Sequence, residues 1–298
     1  MTSHDVVAYC RRLLGKVKTG HTGTLDPAAA GVLVLCFGPA TRLIDFLKDD
    51  TKSYRAEFGL GRTTDTDDQE GQVLSQTSAS HLTLDDIEAA LPALRGPLRM
   101  TSPIYSAQKQ DGQPLYRKVR AGQEVTPKVK DVEVFLFEAA SFLPGEEATF
   151  LSDIDCGKGT YIRSLARMLG EALEVGGYLK GLLRTRVGPF RLEESLTLEE
   201  FEALLETGEL ARALLPPSML VAHLPVVEIE PETAGVLAHG QPITARQTRS
   251  PLPGKFGQLV RVETADGRLI ALGRAAATEA GPGIAPIKVM LSQEETER

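Results

Sequence analysis

The stretch Ala148–Leu169, ATFLSDIDCGKGTYIRSLARML, changes its periodicity part-way along and decides the class of the fold. Its first segment, Ala148–Cys156, has the pattern of a strand, and a glycine-containing turn leads from it into a helical pattern. The helix would bury one face, formed by Ile162, Leu165, Ala166 and Leu169. A strand followed directly by an amphipathic helix indicates a core built from both kinds of element.

Other segments of the chain repeat this mixture. The spacing of apolar residues predicts helices at Val6–Leu14 and Leu84–Leu94 and strands at Gly31–Phe37, Ser53–Phe58 and Val132–Phe137. In the second of these strands Tyr54, Ala56 and Phe58 alternate with charged residues and would share the buried face. We therefore predict the α+β class.

A second, smaller domain is predicted towards the C-terminal end. The composition changes near Pro216–Pro217, and residues 226–291 consist of short segments separated by glycine and proline. Two of these segments flank Asp266–Gly267 in a hairpin pattern. A chain of 298 residues is long enough for one large core and such a small β domain.

The charged residues are segregated along the chain, although the chain as a whole has a net charge of −7. Residues 99–131 hold seven Lys or Arg against three Asp or Glu, and residues 156–190 hold six against two. Residues 63–94 hold seven acidic residues and no Lys or Arg. Charge runs are usually solvated faces, but two basic windows with Tyr and Gly favour an RNA partner, because RNA binding uses cationic grooves with aromatic platforms.

The cysteine and hydropathy patterns argue against several classes of protein. Cys10, Cys36 and Cys156 are odd in number, widely spaced and free of a CxxC pair, which argues against a disulfide framework and a structural zinc site. The longest apolar run, Ala28–Ala40, is too short for a membrane helix and contains glycines. The first residues lack the pattern of a secretory signal. We therefore expect a cytoplasmic protein.

One carboxylate stands out in the stretch His21–Gly31, HTGTLDPAAAG. Pro27 restricts Asp26 to extended or turn conformations, and the glycines on either side free the backbone. The carboxylate is thus presented on a constrained loop before an apolar segment, where catalytic residues are often found. Asp-Pro is also a common turn dipeptide, and on this motif alone the turn is the better interpretation.

A second group of residues favours a functional role for Asp26 over the turn interpretation. Arg163 and Arg167 are four residues apart on the predicted helix and share a face beside its apolar stripe. An arginine at this place could pair with a buried carboxylate and keep it ionised at neutral pH. For Arg167 we expect a solvated basic face instead. The turn GKGT at residues 157–160 lacks the spacing of a phosphate-binding Walker loop.

Five motifs, in this order, resemble those of the TruB family of tRNA pseudouridine synthases. They are GHTGTLDPAAAGVLVLCFGPATRL (20–43), KSYRAEFGLGRTTDTDDQEG (52–71), SPIYSAQKQDGQPLYRKVRAG (102–122), CGKGTYIRSLARMLGEAL (156–173) and LLRTRVGPF (182–190). The resemblance implies a pseudouridine-synthase-like α+β fold with a mixed, mainly antiparallel sheet and flanking helices. It also implies a catalytic domain over residues 1–220, an RNA-clamping insertion at about 99–131, and a small all-β PUA-like RNA-binding domain over residues 225–292.

The resemblance further implies a cofactor-free isomerisation of the T-loop uridine (position 55) of tRNA to pseudouridine. The N1–C1′ bond breaks, the uracil turns, and a C5–C1′ bond forms. Asp26 would act as nucleophile or as base at the ribose C2′, and the sequence leaves both roles open. Arg163 would pair with Asp26. Tyr54 would stack on the uracil and take the C5 proton, the alternative being a tyrosine that only packs in the core.

The remaining site residues also follow from the resemblance. Tyr161 and Leu183 would line the uracil pocket, with Leu182 the alternative if the alignment slips by one place. His21 would enter the RNA loop where the base has left. The expected phosphate contacts of the clamp are Lys109, Arg117, Lys118 and Arg120. The expected partner is tRNA, bound by a monomer without a metal, a membrane or an obligatory protein partner, and the acidic segment TDTDD (64–68) is not expected to hold catalytic magnesium.

One departure from the family pattern leaves an alternative open. The family begins with a DKPxGxTS-like segment, of which this chain has only Thr2 and Ser3. An RNA-binding or tRNA-folding protein with impaired catalysis is therefore the second hypothesis. A nucleoside or glycoside hydrolase with Asp26 as nucleophile is the third, but the sequence lacks an obvious second carboxylate to serve as its acid.

Overall fold

The computed structural model describes residues 1–47, 51–106, 108–110 and 112–291. Its helices are α1 (Ser3–Leu13), α2 (Leu84–Ala90), α3 (Leu115–Arg120), α4 (Ile162–Ala172), α5 (Leu198–Glu206) and α6 (Pro231–Ala238). Its strands are β1 (Thr19–His21), β2 (Ala30–Gly31), β3 (Leu35–Phe37), β4 (Lys52–Leu60), β5 (Arg62–Thr64), β6 (Val73–Gln76), β7 (Gly96–Thr101), β8 (Lys109–Gln110), β9 (Gln113–Pro114), β10 (Val129–Leu143), β11 (Ala148–Cys156), β12 (Gly177–Val187), β13 (Phe190–Arg191), β14 (Val226–Ile229), β15 (Ile243–Thr244), β16 (Leu259–Thr264), β17 (Leu269–Thr278) and β18 (Gly281–Val289).

The largest sheet has β4 near its centre. Its order is β13-β12-β4-β11-β10-β7, and the short strand β2 pairs with β12. The pairing of β2 with β12 is parallel, whereas the other pairs of this sheet are antiparallel. The predicted α+β class with a mixed, mainly antiparallel sheet is confirmed.

One face of this sheet forms the main core. Phe58, on β4, stacks on Phe150 with 4.9 Å between the ring centroids and lies 5.6 Å from Phe137. Tyr54 and Ala56 are buried on the same strand, as the alternation predicts. Helix α4 contributes the four apolar residues of its predicted face to this core, Ile162, Leu165, Ala166 and Leu169.

Helix α4 approaches β12 more closely than side chains would permit. A Cβ atom on Gly170 would lie 2.0 Å from the backbone nitrogen of Gly177, and one on Gly177 would lie 2.3 Å from the carbonyl oxygen of Ala166. Only glycine fits at these two positions. The pair therefore fixes the separation of helix and strand, and with it the first turn of α4, which carries Arg163.

The contacts of the described residues divide the chain into two compact units. Residues 25–32 and 51–195 form one unit, which contains the largest sheet. Residues 1–24, 33–47 and 196–291 form the other. The domain boundaries expected from the sequence, 1–220 and 225–292, stay a prediction, and residue 292 lies outside the described residues.

The apolar run Gly31–Phe37 does not form the single buried strand that its composition predicts. Its start belongs to β2, which pairs with β12, whereas its end is β3, which pairs with β1 in a separate two-stranded sheet. Gly31 has a φ of 103°, which turns the backbone out of the extended conformation. The run is apolar because its two ends pack in different sheets.

The chain leaves the largest sheet between β7 and β10 and returns to it. The two strands pair antiparallel, and the backbone N–H of Ser102 donates to the carbonyl of Lys128 at 3.1 Å, which closes the base of the excursion. Strands β8 and β9 and helix α3 lie within it. This excursion falls inside the predicted clamp at about 99–131, of which residues 107 and 111 lie outside the described part of the chain.

The second large sheet has the order β14-β16-β17-β18-β15. Strands β16 and β17 form the predicted hairpin, with Gly267 in its turn at a φ of 82°. Val262, Ile270 and Ile284 are buried in the core of this region. An all-β domain was predicted, and the structure corrects this by adding α6, which begins at Pro231, an N-terminal position that proline favours.

No helix in the described ranges is both long enough and apolar enough to cross a membrane. The three cysteines are buried, and no disulfide joins them in the described residues.

Burial should make the thiols unreactive in the native protein. It raises the pKa of the Cys36 thiol to about 11 and also raises the pKa of Cys10. At pH 8 both groups are neutral and shielded, so alkylation by iodoacetamide should be roughly a hundredfold slower than in urea, as mass spectrometry of the labelled protein would show. Rapid labelling of either thiol under native conditions would contradict this.

The burial of Cys36 also makes the free energy of unfolding depend on pH in alkaline solution. Because folding raises the pKa of Cys36 above its ordinary value of 9.0, its contribution to the free energy of unfolding is complete below pH 9 and is lost as pH rises through about 11.

Candidate active site

The carboxylate of Asp26 lies in the turn that precedes β2. The backbone N–H of Ala29 donates to the carbonyl of Asp26 at 2.9 Å, and β2 then joins β12 through the pairing of Gly31 with Arg184. A Cβ atom on Gly31 would lie 2.2 Å from the carbonyl oxygen of Arg184, so glycine permits this close pairing. The turn that presents Asp26 is thereby attached to the edge of the sheet.

Arg163 binds the carboxylate of Asp26 with two hydrogen bonds. Its Nε donates to Oδ2 at 2.9 Å and its Nη2 donates to Oδ1 at 3.2 Å. The arginine side chain is 5% exposed and the aspartate side chain is 41% exposed. The ion pair therefore has one buried member, which fixes the geometry, and one accessible member, which can meet a reactant.

The other donors of Arg163 are also occupied. Nη1 donates to the carbonyl of Thr66 at 3.1 Å, and Nη2 donates to the carbonyl of Tyr105 at 3.0 Å. The carboxylate of Asp68 lies 3.6 Å from Nη1. Segments distant in the sequence thus converge on one guanidinium, and its orientation is fixed from several sides.

The acidic segment at residues 64–68 supports Arg163. Asp68 accepts hydrogen bonds at Oδ1 from the Thr66 hydroxyl at 2.6 Å and from the backbone N–H of Glu70 at 3.1 Å, and its carbonyl accepts one from the Thr64 hydroxyl at 2.7 Å. These bonds fold the segment into a tight turn, from which the carbonyl of Thr66 faces Arg163. Among the described residues, no group of three or more His, Cys, Asp or Glu side chains is arranged to hold a metal ion.

Arg167 is not the solvated side chain that the sequence analysis expects. Its Nε donates to Asp67 at 3.3 Å, its Nη1 donates to Glu171 at 3.0 Å, and its Nη2 donates to the carbonyl of Thr101 at 3.2 Å. Burial raises the pKa of Asp67, and the charge of Arg167 opposes that rise. Sequence patterns do not indicate this second ion pair, because Asp67 and Arg167 are 100 residues apart in different charge windows.

Tyr54 is 7% exposed and lies on β4 beside Arg184. Arg184 is the pairing partner of both Tyr54 and Gly31, because β12 runs between β4 and β2. Adjacent strands in a sheet are about 4.8 Å apart. The sheet therefore holds the tyrosine two strand positions from the chain segment that carries Asp26.

Tyr161 stands just before the first turn of α4 and is half-buried. Its backbone N–H donates to the sulfur of Met100 at 3.3 Å, and its ring packs against the main core. The ammonium of Lys130 lies 5.9 Å from the ring centroid. Tyr161 is therefore two residues before Arg163, the buried member of the ion pair.

The strand register separates the two leucines between which the sequence analysis leaves a choice. Leu182 lies opposite Ala56 and packs against the main core, to which Tyr54 also belongs. Leu183 lies opposite Arg55, an exposed residue. Because directly opposed residues of neighbouring strands share a face, Leu182 is on the face of Tyr54 and Leu183 is on the other.

The other predicted contacts are more dispersed. His21 ends β1, in a different compact unit from Asp26. In the clamp, Arg117 is exposed and Lys118 is half-buried on α3. The side chains of Lys109 and Arg120 lie outside the described residues. The roles of these five residues stay predictions.

Two family profiles cover this region of the chain. The profile of the TruB family pseudouridylate synthase N-terminal domain matches residues 11–162, which are 152 of the 298 residues. The chain belongs to the TruB family. A second profile, that of the tRNA pseudouridylate synthase B C-terminal domain, matches residues 163–222.

Relatives named tRNA pseudouridine synthase B support this membership of the TruB family. The protein of Symbiobacterium thermophilum is 45% identical over 240 residues, which are 80% of this chain and 78% of that protein. The protein of Moorella thermoacetica is 43% identical over 92% of this chain and 90% of its own. The protein of Saccharophagus degradans is 41% identical over 98% of this chain and 92% of its own.

Solved structures extend the similarity to the whole fold. A chain in a Cbf5-Nop10-Gar1 complex superposes with a TM-score of 0.74 at 27% identity, over 99% of this chain and 83% of that one. A chain in an H/ACA RNP bound to a substrate RNA containing 2′-deoxyuridine gives a TM-score of 0.73 at 26% identity, with the same coverage. The predicted pseudouridine-synthase-like fold is confirmed.

The Arg163–Asp26 and Arg55–Asp153 pairs have similar geometry but differ in burial. Comparing them tests whether burial determines how much an ion pair contributes to the free energy of unfolding. Arg163→Ala removes the charge that faces Asp26 and leaves two carbonyls without their donor, so the free energy of unfolding should fall by about 2–4 kcal/mol. Urea denaturation would measure this.

The control is Arg55→Ala, because Arg55 binds Asp153 with two hydrogen bonds of 2.9 and 2.8 Å on the exposed surface. That variant should unfold close to the urea concentration of the unsubstituted protein, since exposed ion pairs contribute little. Equal losses in the two variants would show that burial of Arg163 is not what matters.

Proposed function

We propose that the protein isomerises a uridine of tRNA to pseudouridine, and that the target is the T-loop uridine at position 55. The observation that carries the proposal is the half-exposed Asp26 carboxylate, held by two hydrogen bonds from the buried Arg163 in a chain of the TruB family. The relatives named above as tRNA pseudouridine synthase B support tRNA as the substrate.

The reaction requires an ionised carboxylate at the sugar. The N1–C1′ bond breaks, a C5–C1′ bond forms, the proton on C5 leaves and N1 gains a proton, so substrate and product have the same atoms. Asp26 either attacks C1′ or takes a proton from C2′. Arg163 orients the carboxylate in both cases through its two hydrogen bonds. No net oxidation occurs, and the proposal includes neither a cofactor nor a metal.

Tyr54 is assigned the second chemical role. Its place on β4, two strand positions from the segment of Asp26, supports a stacking contact with the extruded uracil. Stacking on one aromatic ring contributes about 1–3 kcal/mol per base. The phenol oxygen would then receive the proton that leaves C5 as its own proton passes to water, and water would supply the proton that N1 gains.

The substrate nucleotide must leave its stack to reach Asp26. We assign Tyr161 to the wall of the uracil pocket, and we move the role expected for Leu183 to Leu182, because Leu182 shares the face of Tyr54. His21 would fill the space left in the RNA loop. The clamp residues Lys109, Arg117, Lys118 and Arg120 would contact phosphates without reading sequence. We propose a monomer that works in the cytoplasm, where its tRNA substrate is found.

Asp26→Asn tests the central role of the carboxylate. The amide has nearly the same size but cannot serve as nucleophile or base, so pseudouridine formation on an unmodified tRNA transcript should fall at least about a thousandfold. Pseudouridine mapping at single-nucleotide resolution would measure the product, and a filter-binding assay should give an RNA affinity close to that of the unsubstituted protein.

The matched control is Asp153→Asn, which removes a carboxylate from the exposed pair with Arg55 and should leave activity unchanged. Normal product formation by Asp26→Asn would refute the assignment, and modification at another tRNA position by the unsubstituted protein would refute the T-loop target.

Tyr54→Phe separates stacking from proton transfer. The ring remains and the hydroxyl is lost, so RNA affinity should stay within about threefold while the single-turnover rate falls by about a hundredfold. Tyr54→Ala should lose affinity as well. If Tyr54→Phe keeps the full rate, the tyrosine has only a packing or stacking role.

A further inference from the structure

A hollow lies beside helix α1 and the turn after it. None of its lining residues is assigned a role above. Its volume is about 450 Å³, and Val7 and Ala8 are its apolar lining residues. The polar residues that line it are His4, Arg11, Arg12 and Lys16, and no carboxylate is among its lining residues. The hollow is therefore cationic on a chain whose net charge is −7.

The turn after α1 places the third cation of the hollow. The backbone N–H of Gly15 donates to the carbonyl of Arg12 at 3.3 Å, and that of Lys16 donates to the carbonyl of Arg11 at 2.9 Å. This is the hydrogen-bond pattern of a Schellman motif, which turns the chain back over the last helical turn. Lys16 is thus brought next to the two arginines of that turn.

Lys16 adopts an unfavourable backbone conformation in this position. Its φ is 71°, directly after Gly15 at 64°. A left-handed conformation costs a non-glycine residue about 1 kcal/mol. Cations near a helix C-terminus are expected from the helix dipole, which accounts for Arg11 and Arg12. The dipole does not require a lysine at a position that glycine would fill more easily.

The cations of the hollow are not neutralised within the described part of the chain. No ion pair joins Arg11, Arg12 or Lys16 to a carboxylate in the described ranges, in contrast to Arg163 and Arg167. The guanidinium of Arg12 lies 5.4 Å above the ring of Tyr9, whose hydroxyl donates to Glu202 at 2.8 Å. Arg12 is held in place while its charge stays available.

We propose that this hollow, lined by Arg11, Arg12 and Lys16, binds phosphates of the RNA backbone at a site additional to the one that holds the target nucleotide. The proposal rests on the proposed function, which makes an RNA the substrate. Three cations around a concave surface with two apolar lining residues suit a phosphodiester chain, whose charges repeat and whose sugars are less polar. The contact would add affinity without reading sequence.

The test compares two double variants with the same net charge. Arg11→Gln/Lys16→Gln removes two cations of the hollow, and Arg191→Gln/Arg212→Gln removes two exposed cations elsewhere. Fluorescence anisotropy with an unmodified tRNA transcript would give Kd at several salt concentrations. For the hollow variant we expect Kd to rise about tenfold and the slope of log Kd against log salt to fall by about 1.5, with the kcat at saturating tRNA unchanged.

Equal weakening of both variants would mean that only net charge matters, and no weakening of the hollow variant would mean that the hollow does not touch RNA. Either result overturns the proposal.

Polyglutamate is the probe for an acidic protein partner: if it loses affinity for the hollow variant as RNA does, the assignment to RNA is overturned. Failure of the unsubstituted protein to form pseudouridine would refute the proposed function, while these binding measurements would still report on the hollow.

A second measurement needs no variant. Acetylation of Lys16 in the unsubstituted protein, followed by mass spectrometry, should be at least about fivefold slower with saturating tRNA than with polyglutamate of the same total charge. An unchanged rate would overturn the proposal even if the double variant fails to fold.

Discussion

The ion pair between Arg163 and Asp26 imposes the main constraint on the compact unit that contains it. A guanidinium that is almost wholly buried must have every donor satisfied and its charge balanced, since either failure would cost several kcal/mol. The turn before β2, the acidic turn at residues 64–70 and the base of the excursion after β7 each supply a partner. The exposed carboxylate is then the one member of this network that remains open to a reactant.

Local sequence patterns predict most elements of this fold but not the way they are joined. The alternation in β4 and the apolar face of α4 are properties of consecutive residues, and the structure has both. The division of Gly31–Phe37 between two sheets is not such a property, because one apolar run can satisfy two separate cores. Likewise Leu182 and Leu183 are interchangeable in composition, and the register of β12 with β4 separates them.

The charge pattern shows why the site could be found only in part. The acidic window at 63–94 and the basic window at 156–190 are segregated along the sequence, but Asp67 and Asp68 lie against Arg167 and Arg163. These four charges are therefore paired with one another within the protein. The partner of Asp26 was found because the family motifs identify it, whereas the carbonyl contacts of Arg163 come from backbone atoms, which leave no signature in side-chain type.

The parallel pairing of β2 with β12 has a consequence for how the chain acquires its active form during synthesis. Asp26 and Arg163 are 137 residues apart in the sequence, and β2 meets a strand made later still. Closing so long a loop is slow, because its entropy must be lost before the contacts are gained. The turn that carries Asp26 therefore cannot be anchored to β12, and Asp26 cannot pair with Arg163, until these later segments have been synthesised.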